Sequence, residues 1–198
     1  MDAADIAAVV AGYLLGSIDF GVIVPRLFGI DIYGTGSGNP GATNVLRTVG
    51  RREAALVLLG DLAKGVAAAA LGSLAGGPVV GFAAGLAAVV GHCFPLWHRF
   101  RGGKGVSAAG GMVLWLEPLA GLILLGVFVA VVVLTRKASL GSLLAAAGLV
   151  PVLAAFGHRG WSLGLAGAAV ALIVVRHLPN IRRLLGGSEH TIEEEAEG

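Results

Sequence analysis

Cysteine, charge and polar stretches are all scarce in this sequence. Cys93 is the lone cysteine, which excludes an internal disulfide framework and any cysteine-based metal cluster. Only 13% of the 198 residues are Asp, Glu, Lys or Arg, while 56% are hydrophobic. A water-soluble domain of this length carries far more charge on its surface, so a soluble globular class is excluded. The mean hydropathy of +0.87 agrees. A basic start is missing too: Met1-Asp2-Ala3-Ala4-Asp5 is acidic, the reverse of a secretory signal, and the apolar run behind it reads as a retained helix. The pI near 9.0 does not imply nucleic acid, because the basic residues fall between apolar runs, where topology signals belong.

What the sequence has is apolar runs of roughly 18 residues or more, the length a bilayer core demands. They predict an all-α integral membrane protein, one polytopic domain over 1–198 with seven transmembrane helices. The spans fall near 6–28, 53–74 and, after the Gly76-Gly77-Pro78 turn, up to Pro95. A long apolar stretch over 106–134 is interrupted at Glu117-Pro118; proline lacks an amide hydrogen and disfavours helix in the residue before it, so the stretch is split in two. The last spans lie near 140–156 and 161–178, and the polar tail from about 186, ending Glu193-Glu194-Glu195, is expected to fray.

Orientation follows from lysine and arginine. One set of loops holds Arg47, Arg51 and Arg52, then Arg99, Arg101 and Lys104, then Arg136 and Lys137, then Arg182 and Arg183; the alternate set holds little beyond Arg159. Basic loops face the cytoplasm, which puts the N-terminus outside and the C-terminus inside.

The inside loops carry the chemistry. The first reads Gly34-Thr35-Gly36-Ser37-Gly38-Asn39-Pro40-Gly41-Ala42-Thr43-Asn44-Val45-Leu46-Arg47. Its glycines free the backbone to aim amides at an anion. Ser37, Thr43 and Asn44 add side-chain donors, and Arg47 and Arg51 can fork onto phosphate or carboxylate. Taken alone, the loop reads equally as an ordinary turn with topology-setting arginines. The segment His98-Arg99-Phe100-Arg101-Gly102-Gly103-Lys104-Gly105-Val106 follows the logic of a phosphate loop opening a helix. Gly105 stands where a Walker motif needs serine or threonine, so magnesium-nucleotide binding is excluded. Two anion-ready loops on one face favour a phosphorylated substrate. His177 and Asn180, three apart at a helix end, can face the same side, and Ser139 and Ser142 add hydroxyls that read, unaided, as a helix cap.

Inside the second span, Asp61 and Lys64 read as a self-neutralising pair with Lys64 snorkelling. His92 reads either as a packed core histidine or as the holder of the Phe94-Pro95 turn. Metal-ligand spacing, a hydrolase nucleophile elbow and the His-x4-Asp acyltransferase pattern are all missing, so no metal and no cofactor is expected. A transporter for a phosphorylated solute would place its charges at mid-membrane; only Asp61 and Lys64 approach that pattern.

Three ordered motifs now stand together: 36–47, then Gly91-His92 through Gly102-Gly103-Lys104-Gly105-Val106, then Arg176-His177 through Asn180-Ile181. With Tyr13-Leu14-Leu15-Gly16-Ser17-Ile18, Asp61-Leu62-Ala63-Lys64-Gly65 and Gly187-Ser188-Glu189, the chain resembles the bacterial acyl-phosphate-dependent glycerol-3-phosphate acyltransferases, the PlsY family, over nearly its whole length. The resemblance implies acyl transfer from acyl phosphate to the sn-1 hydroxyl of glycerol 3-phosphate, giving lysophosphatidate and phosphate. It implies a bacterial inner-membrane enzyme, surrounded by lipid and compatible with a monomer, whose site faces the cytoplasm. By motif match Ser37, Arg47, Lys104, His177 and Asn180 carry over as catalytic. Gly38, Asn39, Gly41, Thr43, Asn44, Arg51, Gly102, Gly103 and Ser142 carry over as substrate- or phosphate-binding, and Glu189 as a structural anchor of the tail. Asp19 departs from a common proline, Cys93 from a common asparagine, and Lys137-Ala138 from a usually aromatic or aliphatic pair. The proton acceptor stays open: a substrate phosphate is the working hypothesis, with His177 as general base or a Ser37 acyl-enzyme as rivals.

Overall fold

The computed structural model describes residues 1–192, so the expected fraying at Glu193-Glu194-Glu195 lies outside the described residues. All regular structure among the described residues is helical: α1 Ala3–Gly16, α2 Phe20–Leu27, α3 Ala42–Thr48, α4 Arg51–Cys93, α5 Val106–Leu116, α6 Pro118–Thr135, α7 Ala138–Ala155, α8 Trp161–Arg176 and α9 Leu178–Leu185. By length and composition four stretches can cross a membrane: Ala3–Leu27, Arg51–His98, Pro118–Thr135 and Ala138–Ala155. A fifth is the pair α8 and α9, bent by 59°.

The 43-residue α4 is a hairpin rather than a rod. Helical geometry fails at Gly76 and at Gly77, where φ is 80°, a value glycine adopts without steric cost. Gly72 then packs on Val80 and Ala84, and Gly81 on Ala69. In a straight helix residues 72 and 80 would stand about 12 Å apart, so the arms fold back on each other. Pro78 opens the second arm, where its missing amide costs nothing. The turn expected at Gly76-Gly77-Pro78 is therefore present, and so is the break at Glu117: its extended backbone (φ −150°, ψ 82°) ends α5 and lets Pro118 begin α6.

The first span differs from expectation. Instead of one helix over 6–28, α1 stops at Gly16 and α2 starts at Phe20. Ser17 turns its hydroxyl back onto the Tyr13 carbonyl at 2.9 Å, and the carbonyl of Ile18, released by the break, accepts from Lys64 Nζ at 2.8 Å. Ser17 and Asp19 are fully buried; irregular backbone at this depth persists only where protein covers it.

The α4 hairpin is the hub, with α1 and α5 laid against it. In lipid, helices gain nothing by hiding apolar surface, so small residues that admit close backbone packing supply the adhesion. Gly16 lies against the Ala88 backbone and Gly65 against that of Ala108, each with no space for a methyl group. Phe82, Met112 and Leu153 fill the core between α4, α5 and α7, while α6 turns Leu119, Leu122, Val129, Val133 and Leu134 outward. A Gly65→Ala substitution therefore lowers the thermal unfolding temperature in mild detergent, with an overpacking cost of about 1–3 kcal/mol. Gly164→Ala, facing open space, leaves it unchanged or raised; equal behaviour of the two variants contradicts this packing.

Candidate active site

The loop after α2 is shaped by one side chain. Buried Asn44 accepts the Ser37 amide on Oδ1 and donates through Nδ2 to the Thr35 carbonyl, both at 3.0 Å. Gly36 and Gly38 take positive φ (58° and 67°) to close the curl between them. Asn44, expected to contact substrate, thus spends both ends of its amide holding the loop that carries Ser37.

Three helix N-termini meet above this loop. Gly41, Ala42 and Thr43 at the start of α3, Gly105, Val106 and Ser107 at α5, and Ala138 and Ser139 at α7 line one cavity of about 310 Å³. Each helix start offers unpaired amides and the positive end of its dipole. Ser37, Asn39, Arg47, Lys104, Ser142, His177 and Asn180 line the same cavity. The sequence separates these residues by up to 143 positions (180 minus 37), and the helix ends bring them together.

Lys104 is tied into a buried relay. Its Nζ donates to Asn180 Oδ1 at 2.6 Å, and Asn180 Nδ2 donates to Glu189 Oε1, also at 2.6 Å. Glu189 additionally accepts from Ser139 Oγ and Arg183 Nε, each at 2.8 Å. Burial works to raise the Glu189 pKa, but the donors Asn180, Ser139 and Arg183 outweigh it and hold the carboxyl below its usual range. Burial pulls the Lys104 ammonium down to about 8, against the attraction of Glu189 and with help from Arg183, Arg47 and Arg176. His177, at the bend between α8 and α9, donates from Nδ1 to the Ile173 carbonyl at 2.8 Å. A carbonyl only accepts, so Nδ1 carries the proton and Nε2 is the basic nitrogen.

The cavity's charge is net cationic where a ligand would sit. Asp61 pairs with Lys64 at 2.7 Å and Glu189 with Arg183 at 2.8 Å, and the wall also carries Arg47 and Lys104. The arrangement suits an anion with several oxygens. A second, apolar cavity of about 180 Å³ adjoins it among α4, α5, α6 and α7, sharing Leu58, Val106, Ser107, Phe128 and Ser142 with the first.

Residues 6–187 match the family model of glycerol-3-phosphate acyltransferases. The chain belongs to this family. A glycerol-3-phosphate acyltransferase of Rhizobium meliloti (strain 1021) is 47% identical over 190 residues, covering 96% of this chain and 93% of that protein. Glycerol-3-phosphate acyltransferase 2 of Moorella thermoacetica is 45% identical, covering 94% and 97%. The crystal structure of PlsY, an integral membrane glycerol 3-phosphate acyltransferase, in its glycerol 3-phosphate form matches with a TM-score of 0.91 at 38% identity over 94% of each chain. Its lysophosphatidic acid form matches at 0.89.

Not every expected residue of this acyltransferase reaches the cavity wall. Gly38, Arg51, Gly102 and Gly103 are absent from it. Gly103 donates its amide to the His92 carbonyl at 3.0 Å, and the Gly102 and Gly103 carbonyls accept from Arg176 at 2.6 and 3.0 Å. The glycine pair is thus a tethered support for Lys104, and its Gly103 amide is not aimed at an anion. Asp61 and His92 do line the cavity; they stand 31 positions apart on two expected spans, and the hairpin turn between those spans brings them together. Glu189 joins them there, because the segment 186–192 folds back over the site and the Ile192 amide donates to the Arg136 carbonyl at 2.8 Å. A Glu189→Ala variant frees this segment: trypsin cleavage after Arg182 and Arg183 speeds up on the order of fivefold or more, as expected when local opening becomes easy. An unchanged digestion rate contradicts the strap.

Proposed function

We propose that this acyltransferase takes its acyl group from acyl phosphate and places it on the sn-1 hydroxyl of glycerol 3-phosphate. The observation that carries the reading is the adjacency of the two cavities: a basic chamber of about 310 Å³ shares Ser107, Phe128 and Ser142 with an apolar one of about 180 Å³. An acyl phosphate has that same division, an apolar chain ending in an anion. The lysophosphatidic acid form of the related PlsY supports a product of the same kind. Acyl phosphate is an activated donor, so alignment of the hydroxyl against the carbonyl supplies much of the rate.

In this reading the apolar chamber takes the acyl chain and the basic chamber takes both phosphates. Arg47 and Lys104 stabilise the negative charge that grows on the carbonyl oxygen and the departing phosphate. Asn180 keeps the Lys104 ammonium oriented, and Ser37, Asn39 and Thr43 offer neutral donors at the rim. Gly41 permits the close approach of the α3 start, Gly38, Gly102 and Gly103 shape the two loops from behind, and Asn44, on the chamber wall, braces the first loop. Ser142 holds glycerol 3-phosphate, while Arg51 stands off the chamber wall. The hydroxyl proton passes to a substrate phosphate oxygen; the neutral Nε2 of His177 is the competing acceptor.

Seven crossings complete the reading: α1 with α2, the two arms of α4, α5, α6, α7, and α8. The N-terminus lies outside, the C-terminus and the site face the cytoplasm of a bacterial inner membrane, and a single copy suffices. The clustering of Arg47, Arg51, Arg52, Arg99, Arg101, Lys104, Arg136, Lys137, Arg182 and Arg183 at one set of helix ends supports this orientation.

The test is phosphate release from palmitoyl phosphate by purified protein, with and without glycerol 3-phosphate. Release that requires the acceptor, yields 1-acyl lysophosphatidate and falls at least about 100-fold in Lys104→Ala upholds the reading; equal or faster turnover with palmitoyl coenzyme A rejects the acyl-phosphate donor. The depressed Lys104 pKa sets a second expectation. The ammonium is charged below about 8 and loses its charge as the pH rises through that value, so kcat/KM, which reports the free enzyme, falls on the alkaline side. Lys104→Arg, charged throughout, shifts that limb to higher pH; an identical limb in both proteins assigns it to another group.

A further inference from the structure

We propose that His92 is a positioning residue for Lys104: held by Asp61, its ring buttresses the glycine pair from which Lys104 projects. The inference rests on Lys104 acting in the acyl transfer described above.

The geometry runs from the α1–α2 break to the loop. Lys64 Nζ bridges the Ile18 carbonyl at 2.8 Å and Asp61 Oδ1 at 2.7 Å. That same Oδ1 lies 3.4 Å from His92 Nδ1. The other edge of the ring, Nε2 and Cε1, abuts Gly103 so closely that a Cβ there would collide with it. The His92 carbonyl meanwhile accepts the Gly103 amide at 3.0 Å, and a Cβ on Gly102 would strike that carbonyl. His92 therefore touches the loop twice, once through its backbone and once through its ring.

The environment leaves the ring little freedom. Asp61, Lys64 and His92 are all buried, and Asp19, fully buried at the break, adds a second carboxylate that interacts electrostatically with Lys64 and His92. Four ionisable groups from α4 and the α1–α2 break thus surround a single loop contact. On the opposite side Arg176 grips the Gly102 and Gly103 carbonyls. A Cβ at Gly102 or Gly103 would strike His92, so both positions suit glycine, and the Arg176 bonds hold the pair through its carbonyls. Lys104 inherits that position, which brings its Nζ to Asn180.

The distinction from a general packing role is directional. Loss of the ring edge at Gly103 releases Lys104 while the Asp61–Lys64 pair stays in place. The protein has three lysines, Lys64, Lys104 and Lys137, so amine labelling followed by mass spectrometry reads each one separately. Lys64, buried, reports folding; Lys137, half-buried on a different loop, reports reagent; Lys104 reports its own loop.

His92→Asn keeps a polar group near Asp61 but withdraws from Gly103, whereas His92→Gln reaches the Nε2 position. The expected result for His92→Asn is a kcat about tenfold lower with KM for glycerol 3-phosphate within about twofold, and Lys104 labelling roughly threefold faster. In His92→Gln both return to within about threefold of the parent. Lys64 stays protected in both. Wild-type kcat and Lys104 labelling in His92→Asn overturn the proposal, as does a His92→Gln variant no better than His92→Asn. Should Lys64 become labelled, the residue holds the fold rather than the loop, and the proposal is equally overturned. Because labelling is read without turnover, failure of the acyl-phosphate reading leaves this test intact.

Discussion

Backbones in this protein touch so closely that a single methyl group would force them apart, among them Gly16 against Ala88 and Gly65 against Ala108. The constraint comes from the solvent. Inside a bilayer, leucine on a neighbouring helix is no better than a lipid chain, so helix adhesion depends on dispersion between closely approached backbones. Close approach fixes where each helix ends, and here the ends are the site. The starts of α3, α5 and α7 converge only because α5 is seated against α4 at Gly65, and α7 follows α6 off the same platform. A small shift at Gly65 would move Val106 and Ser107, and with them the wall shared by the two cavities.

Much of this was legible because the signals are local. Gly76-Gly77-Pro78 and Glu117-Pro118 mark their breaks by backbone chemistry that no tertiary context has to supply. The residues expected from the loops at Ser37, Asn39, Thr43, Arg47, Lys104, Ser142, His177 and Asn180 meet in one cavity, since each belongs to a helix end on the same face. What stayed hidden is what requires the fold. The break at Ser17 to Asp19 has no proline or glycine pair to announce it, and the partner of the carbonyl it releases at Ile18 is a distant residue, Lys64. Asn44 looks like a donor to substrate until its amide is found pinning the loop at both ends. Gly102 and Gly103 looked like an anion cradle until the Gly103 amide and both carbonyls were found tethered to His92 and Arg176.

The two acidic residues on the cavity wall answer a separate problem. A site that gathers anions would be weakened by carboxylates, yet Asp61 and Glu189 both line it. Each is neutralised from behind, Asp61 by Lys64 and Glu189 by Arg183, so neither projects net charge into the chamber. They act instead as fixed points: Glu189 gathers Ser139 from α7 and Asn180 and Arg183 from α9, and Asp61 ties α4 to the α1–α2 break through Lys64. Removing one partner of such a buried pair costs on the order of 3–5 kcal/mol, because the survivor keeps its charge without its counterion. The same cost is what makes the pairs rigid enough to aim a lysine.

A lysine whose burial lowers its pKa to about 8 is in turn suited to a ligand that arrives with its own negative charge. Burial holds the ammonium at a cost, with Asn180 supplying an oriented acceptor at 2.6 Å. An incoming phosphate offers what the protein withholds, a full anion inside a desolvated space, where attraction is far stronger than in water. Water would offer no such gain, and an uncharged acyl donor would gain only the apolar chamber. In the proposed reading, preference for a phosphorylated molecule follows from the same burial that depresses the pKa.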